Sequence, residues 1–403
     1  MEHSETQSTY RWVIVIASAL ILAISMGSIV NGLSAFVVPL EQAYGWQRGD
    51  ISLINFSGLI GLAFGGLVMG PLADKKGTRP VVLFGVTILG LSYFTASFVN
   101  ALWHYYLLFF LAGFFGAGAI FPPVMAAVGN WFLVGAGTAI GIASAGQALG
   151  QGGIPFVSSY MIAAFGVDWA FRATGIVMLV ILIPLALLLR QPPESDSKSS
   201  EVSADEAKVP IKVVIVGMST AIILCCTCMS VPLMHLVPLI QDRGFALEEA
   251  SGVIFSMLLI AILGRVAFGR LADIVGALPA YMTATAWMTL LVFGFVYIHN
   301  LTSFYAYALV YGFGYAGVMT GVLVSIRSLT PVSHRASVLG IVIMFGWFGH
   351  AIGGYLGGLL YDLSGNYTAS YALAATAGIL NLMVVSSLYR KTRGPGSLSP
   401  LPV

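Results

Sequence analysis

Charge is what this 403-residue chain has least of. Asp, Glu, Lys and Arg make up only 8% of it, about a third of the ~25% usual in a soluble domain, and that shortage excludes a water-soluble fold. Eighteen basic residues against sixteen acidic leave a net charge of +2, too little for the basic face that nucleic acid requires. Cysteine is nearly missing: Cys225, Cys226 and Cys228 crowd one apolar stretch, so no disulfide framework exists and the three read as packing residues. Enzyme signatures are missing too. No glycine-rich phosphate loop closes on Gly-Lys-Ser/Thr, no histidine pair stands at metal-binding spacing, and no Gly-x-Ser-x-Gly elbow occurs. Neither an enzyme, a cofactor nor a metal site is expected, and without an ATP site any transport is passive or driven by another gradient.

Apolar length is what the chain has in quantity. Hydrophobic residues make up 58% of it, and twelve spans of about 20 residues need roughly 240 positions, leaving room for short loops, one linker and two tails. Residues 1–10 are polar, and the apolar run after them is too long for a cleaved signal, so it reads as a first permanent span. Uncharged runs occupy 12–40, 51–73, 80–167, 173–189, 213–241, 250–264, 274–326, 336–361 and 363–389. The longest is cut at Asn100, Trp103 and His104 and again between Gly129 and Gly137, and the run 274–326 is cut at His299-Asn300. Spans are therefore predicted at 12–38, 49–72, 79–99, 103–129, 136–163, 168–190, 211–240, 248–273, 277–298, 302–328, 334–361 and 366–390.

Fourteen of the eighteen Lys and Arg residues fall at one set of loop ends, and only Arg48, Arg172 and Arg243 at the other. Basic residues in short loops mark the cytoplasmic side, so both termini and the central linker are predicted to face the cytoplasm. The linker, 191–210, is rich in Ser, Glu, Asp and Lys and too polar to order as a domain. The expected organisation is a cytoplasmic tail over 1–11, a six-helix half over 12–190, the cytoplasmic linker over 191–210, a second six-helix half over 211–390, and a cytoplasmic tail over 391–403. The fold class expected is an all-α membrane protein with twelve transmembrane helices in two pseudo-symmetric halves. An internal repeat supports the division: Gly70-Pro71-Leu72-Ala73-Asp74-Lys75-Lys76-Gly77 returns 199 positions later as Gly269-Arg270-Leu271-Ala272-Asp273-Ile274-Val275-Gly276. Its glycines permit a tight turn, and its aspartate suits a helix end or a neighbouring arginine. Asp74, Arg79, Arg270 and Asp273 are thus candidate structural or gating residues. Small residues four apart, such as Gly61/Gly65 and Gly146/Gly150, suit close helix packing.

Arg265 is the most informative residue. It follows the charge-free stretch 250–264 inside the eighth span, where an arginine costs about 2.5–3.5 kcal/mol on insertion scales and cannot shed its proton. It needs water, a partner or an anion, and a carboxylate matches its planar fork with two parallel hydrogen bonds. The alternative is an arginine that snorkels to the cytoplasmic mouth; direct pairing with Asp273 is excluded by eight residues, about 12 Å of helix. His235 lies between Pro232 and Pro238, prolines that can open local space for a ligand, and its imidazole suits a carboxylate or a proton. His350 stands among glycines in the eleventh span, while Asn31 and Tyr315 place neutral polar groups near mid-depth. Each of these also has a packing explanation. The acids Glu41, Asp50, Asp168, Asp242, Glu248, Glu249 and Asp362 all fall at outer span ends, so no carboxylate sits deep enough for an obvious proton relay.

These residues resemble the major facilitator superfamily, whose loop after the second span is similar to Gly70-x-Leu72-Ala73-Asp74-Lys75-x-Gly77-x-Arg79. Within it the chain resembles the bacterial branch of the monocarboxylate transporters and the oxalate:formate antiporters. The likeness is carried by Tyr44-Gly45-Trp46-Gln47-Arg48, by Trp131-Phe132 with the small-residue run 137–146, by His235-Leu236-Val237-Pro238, and by Gly264-Arg265-x-x-Phe268-Gly269. It implies that Arg265 binds the substrate carboxylate, that His235 lies beside it in a central cavity, and that Tyr315 lies near the tenth-span aromatic site. It also implies a multi-pass protein of the bacterial inner membrane. Departures from the pattern carry information. Ala261 stands where animal relatives have an aspartate, Gly346 where the oxalate exchanger has a lysine, and Phe121 where relatives have a tyrosine. One fixed positive charge disfavours a dicarboxylate, and Phe121 suggests a less polar cavity. The usual basic residues after Phe132 are replaced by Leu133-Val134-Gly135-Ala136.

The function expected is secondary transport of a small monocarboxylate by alternating access with proton symport. The expected partners are an organic acid, protons and the lipid bilayer, with no nucleic acid, and the chain is expected to act as a monomer. Rival readings are a facilitator or exporter of a neutral or amphipathic solute, an organic-anion exchanger, and a ligand sensor derived from a transporter.

Overall fold

The computed structural model describes residues 2–131, 136–190, 210–330 and 335–392, and every regular element among them is helical. Long apolar runs have only this option in lipid, where each backbone N–H and C=O must be satisfied within its own segment. Twelve rods result. The first, α1, covers 2–44, and α2 (Arg48–Lys76) and α3 (Thr78–Ala96) follow. Next come α4 (102–130), α5 (Ala136–Phe165) and α6 (Val167–Leu187). The second set is α7 (Ile211–Gln241), α8 (Leu247–Val275), α9 (Ala277–Tyr297), α10 (Leu301–Leu329), α11 (Arg335–Ser364) and α12 (Thr368–Thr392). Eleven of the rods are long and apolar enough to cross a membrane. The remaining one, α5, has the length but carries Gln147, Gln151 and several glycines.

The predicted spans match these rods, with one clear difference: helix α1 begins at Glu2, well before the predicted 12. Its polar first turns continue the register of the apolar part because nothing in 2–11 breaks a helix. Further along, α1 changes winding, with a π turn over Gly27–Asn31 and a 3-10 turn over Gly32–Phe36. A π turn at Ala112–Ala117 interrupts α4 just before Pro122-Pro123, where two intrahelical donors are lost.

Helices α1–α6 pack chiefly on one another, as do α7–α12, and the two sets meet mainly through α2 on α11 and α5 on α8. Exchanging each helix for its counterpart in the other half, α2 for α8 and α11 for α5, turns one pair into the other, the signature of two related halves. The repeated turn shows the same relation in its backbone. Gly77 has φ +90° and ψ +150°, Gly276 has φ +95° and ψ +159°, and their N–H groups donate to Ala73 and Ala272. Only glycine adopts that region cheaply, which is why both copies of the turn end on it. The side chain of Asp74 and most of the linker (191–209) lie outside the described residues, as do 393–403 of the C-terminal tail.

Because consecutive rods alternate in direction, odd helices run away from the face that holds the start of α1 and the linker, and even helices return to it. Contacts at that face agree. Tyr10 donates to the Leu188 carbonyl, Trp131 Nε1 donates to the Arg190 carbonyl, and the Arg190 guanidinium lies 4.7 Å from the Tyr10 ring centroid.

Candidate functional site

Between the halves lies a cavity of about 410 Å³, lined from α4, α5, α7, α8, α10 and α11. Its residues run from mid-helix, with Gln151, Met229 and His350, to the linker-side parts, with Met125 near the end of α4, Ser144 near the start of α5, Leu323 near the end of α10 and Leu339 near the start of α11. The walls are mostly apolar. Arg265 is the one charged residue among the described lining.

Local packing places that arginine. Gly264 meets the backbone of Phe313 so closely that a β-carbon would have no room, and this approach of α8 to α10 sets the next residue, Arg265, beside Tyr315 on the same cavity wall. Arg265 Nη1 donates to the Ser144 carbonyl of the other half across a long 3.4 Å, while its Nε, buried, has no hydrogen-bond partner. Among the described side chains no carboxylate pairs with it. Tyr315 is only 4% exposed. His350, from α11, is buried with Nδ1 unpartnered, and its ring centre is 5.9 Å from that of Trp347. Trp347 in turn meets Phe121 of the other half edge to face at 6.1 Å.

The structure thus brings Arg265, Tyr315 and His350 together. It does not bring His235 or Asn31 to them. Asn31 is fully buried behind α5, its Nδ2 donating to the Gln151 carbonyl at 2.8 Å and its Oδ1 unpartnered. His235 stands at a different depth. It is six residues from the far end of α7, whereas Arg265 is eighteen from the far end of α8, a difference of about 18 Å along the bundle at 1.5 Å per residue. The expectation that His235 lies beside Arg265 is corrected on this point: position 235 is close to the far end of its helix, as it already is in the predicted span 211–240, whereas Arg265 is deep within α8. His235 Nε2 is 2.7 Å from the Gly354 carbonyl, to which it donates, leaving Nδ1 to accept from the Tyr367 hydroxyl at 3.3 Å. Of the candidate loop residues, Arg79, Arg270 and Asp273 are exposed and form no ion pair among the described side chains; Asp74 lies outside the described side chains.

On the far face, opposite the cavity, sits a charged cluster that sequence reasoning did not assemble. Arg48, at the start of α2 and only 4% exposed, donates through Nε to Glu41 at 2.9 Å and through both terminal nitrogens to Asp242 at 2.8 and 2.7 Å. Nη1 also reaches the Tyr367 hydroxyl at 3.1 Å, and the guanidinium lies 4.1 Å from the Tyr361 ring centroid. The backbone N–H groups of Arg48 and Gly49 donate to Asp362. Asp242, Asp362 and Tyr367 all belong to the second half, so one arginine clasps the two halves together. The available signal was a lone arginine beside acids at the same ends of both halves.

The family model described as Major Facilitator Superfamily matches residues 16–277 and again 216–402. Monocarboxylate transporter 13 of Rattus norvegicus is 28% identical over 375 residues, covering 90% of this chain and 85% of that protein. MFS-type transporter pynF of Aspergillus niger is 25% identical over 96% of this chain and 90% of its own length. The uncharacterized MFS-type transporter YcxA of Bacillus subtilis is 22% identical over 90% of this chain and 91% of its own length. Among solved structures, the nucleoside transporter NupG superposes with a TM-score of 0.74 at 16% identity, covering 94% of this chain and all of that one.

Proposed function

Because the chain belongs to the Major Facilitator Superfamily, we propose that it is a secondary transporter that moves a small monocarboxylate by alternating access, together with a proton. The observation that carries this reading is the Arg265 guanidinium on the wall of an apolar cavity, with no carboxylate partner among the described side chains and a buried unpartnered Nε. A ligand carboxylate supplies the missing counter-charge and accepts from the planar fork, the geometry in which such hydrogen bonds are strongest. Tyr315 and His350 flank the same space and orient the bound acid.

We take the membrane to be a bacterial inner one, as the resemblance implies, and the linker face to be cytoplasmic, which the basic loop ends support; on this reading the cavity opens inward and the Arg48 clasp closes the outside. Transport requires the clasp to part as the linker-side ends of the halves, 12–190 and 211–390, come together. One chain holds the whole site, which supports a monomeric transporter. Charge supports proton coupling. Arg265 and a carboxylate neutralise each other, but the arginine stays behind, and a proton travelling with the anion lets it cross without charge movement. No acid lines the described cavity, leaving the ligand itself or His350 to hold that proton.

Uptake of a labelled monocarboxylate panel into proteoliposomes tests this, with and without an inward proton gradient. The native protein is expected to accumulate at least one acid faster with the gradient. Arg265→Ala is expected to lose uptake by about tenfold or more, and Arg265→Lys, which keeps the charge without the fork, to recover only part of it. Uptake indifferent to Arg265→Ala, or no carboxylate moved at all, overturns the reading.

A further inference from the structure

We infer that the acid carried is an aromatic monocarboxylate, a ring-bearing acid rather than a two- or three-carbon one. The inference rests on the carboxylate reading above and adds what the rest of the cavity selects. At about 410 Å³ the cavity falls in the ~300–1,000 Å³ range of sites for drug-sized ligands. A short acid held at Arg265 leaves the apolar wall beyond it covered by water, so nothing distinguishes that acid from any other small anion. A ring extending from the carboxylate covers that wall.

The wall is suited to a ring. Phe121 of the first half and Trp347 of the second touch edge to face on the cavity wall, and Tyr315 lines the same space. Aromatic surfaces gain from offset or edge-on contact with another ring beyond the apolar area covered. A flat ligand also loses few rotatable bonds on binding, whereas an aliphatic chain long enough to span the cavity loses many. The charge census narrows the class further. With Arg265 the one charged group in the described lining, a second ligand carboxylate has no cationic partner, and a ligand ammonium has no acid to meet. Dicarboxylates and zwitterionic amino acids are therefore disfavoured. Phe121 and Trp347 become the specificity-determining pair, and because each comes from a different half, a ring lying against both touches the two bodies that must move.

The test uses the full chain in proteoliposomes with labelled phenylacetate and lactate as paired probes. Phenylacetate is expected to half-saturate at roughly tenfold lower concentration than lactate. Phe121→Leu, which keeps an apolar side chain but removes the ring, and Trp347→Ala are each expected to raise the phenylacetate value by roughly three- to tenfold and the lactate value by less, so that the preference for the ring-bearing acid narrows. Should Trp347→Ala misfold, Trp347→Leu replaces it beside Phe121→Leu. Lactate favoured over phenylacetate, or an unchanged phenylacetate value in the ring-less variants, overturns the aromatic assignment while Arg265-dependent lactate uptake keeps the carboxylate reading. Loss of both probes' dependence on Arg265 overturns the two together.

Discussion

Arg48 and Arg265 both hold guanidinium nitrogens away from water, and their circumstances are opposite. Arg48 has a bidentate aspartate, a glutamate, a tyrosine hydroxyl and an aromatic face; Arg265 has one long bond to a carbonyl. A satisfied guanidinium holds structure together, whereas an unsatisfied one is a site. Removing Arg48 leaves Asp242 and Glu41, each about a third exposed, without their counter-charge. The closed arrangement is expected to lose roughly 1–3 kcal/mol, between the limits for exposed and buried pairs. In an otherwise cysteine-free background, Ser52→Cys, fully buried beneath the clasp, is expected to react several-fold faster with an impermeant thiol reagent from outside once Arg48→Ala is added. An unchanged rate means that the clasp does not close the outer side. That this cluster escaped sequence reasoning has a plain cause. Asp242, Asp362 and Tyr367 lie 194, 314 and 319 positions from Arg48, and nothing local couples them. Arg265, by contrast, was legible because a permanent charge inside an apolar run stands out against the cost of placing it there.

At the scale of elements, the rods were legible and their relative depth was not. Charge-free runs and their polar interruptions located each helix, and the repeat ending in Gly77 and Gly276 announced two equivalent turns. Depth depends on how far each residue stands from its helix end, and His235, six residues from the end of α7, is separated from Arg265, eighteen residues inside α8. The two turns also make a sharp stability statement. A β-carbon at φ near +95° occupies a region open to little except glycine, so Gly276→Ala is expected to destabilise the fold by about 1–3 kcal/mol. Gly77→Ala should match it, since the backbone there is the same. Thermal unfolding in detergent checks both, and a neutral result at either position means that the turn rearranges.

For the whole molecule, the cavity and the clasp lie toward opposite faces of the bundle, the arrangement that the proposed alternation of access requires. If one proton accompanies one carboxylate, no net charge crosses. Uptake is then expected to respond to an imposed pH gradient, about tenfold per unit in the accumulation it supports at equilibrium, and to ignore a potassium-diffusion potential. Acceleration by the potential alone means that charge is moved and that the stoichiometry differs.

The clasp is also lopsided: Glu41, Asp242 and Asp362 stand against Arg48 alone. When the halves part, these groups turn the outer vestibule into a patch of negative potential that discourages an approaching anion and enriches hydronium near the surface. Under the proposed symport, protonation is then expected to precede capture of the acid. High ionic strength outside, by screening that field, should ease the approach of the anion and blur the sequence.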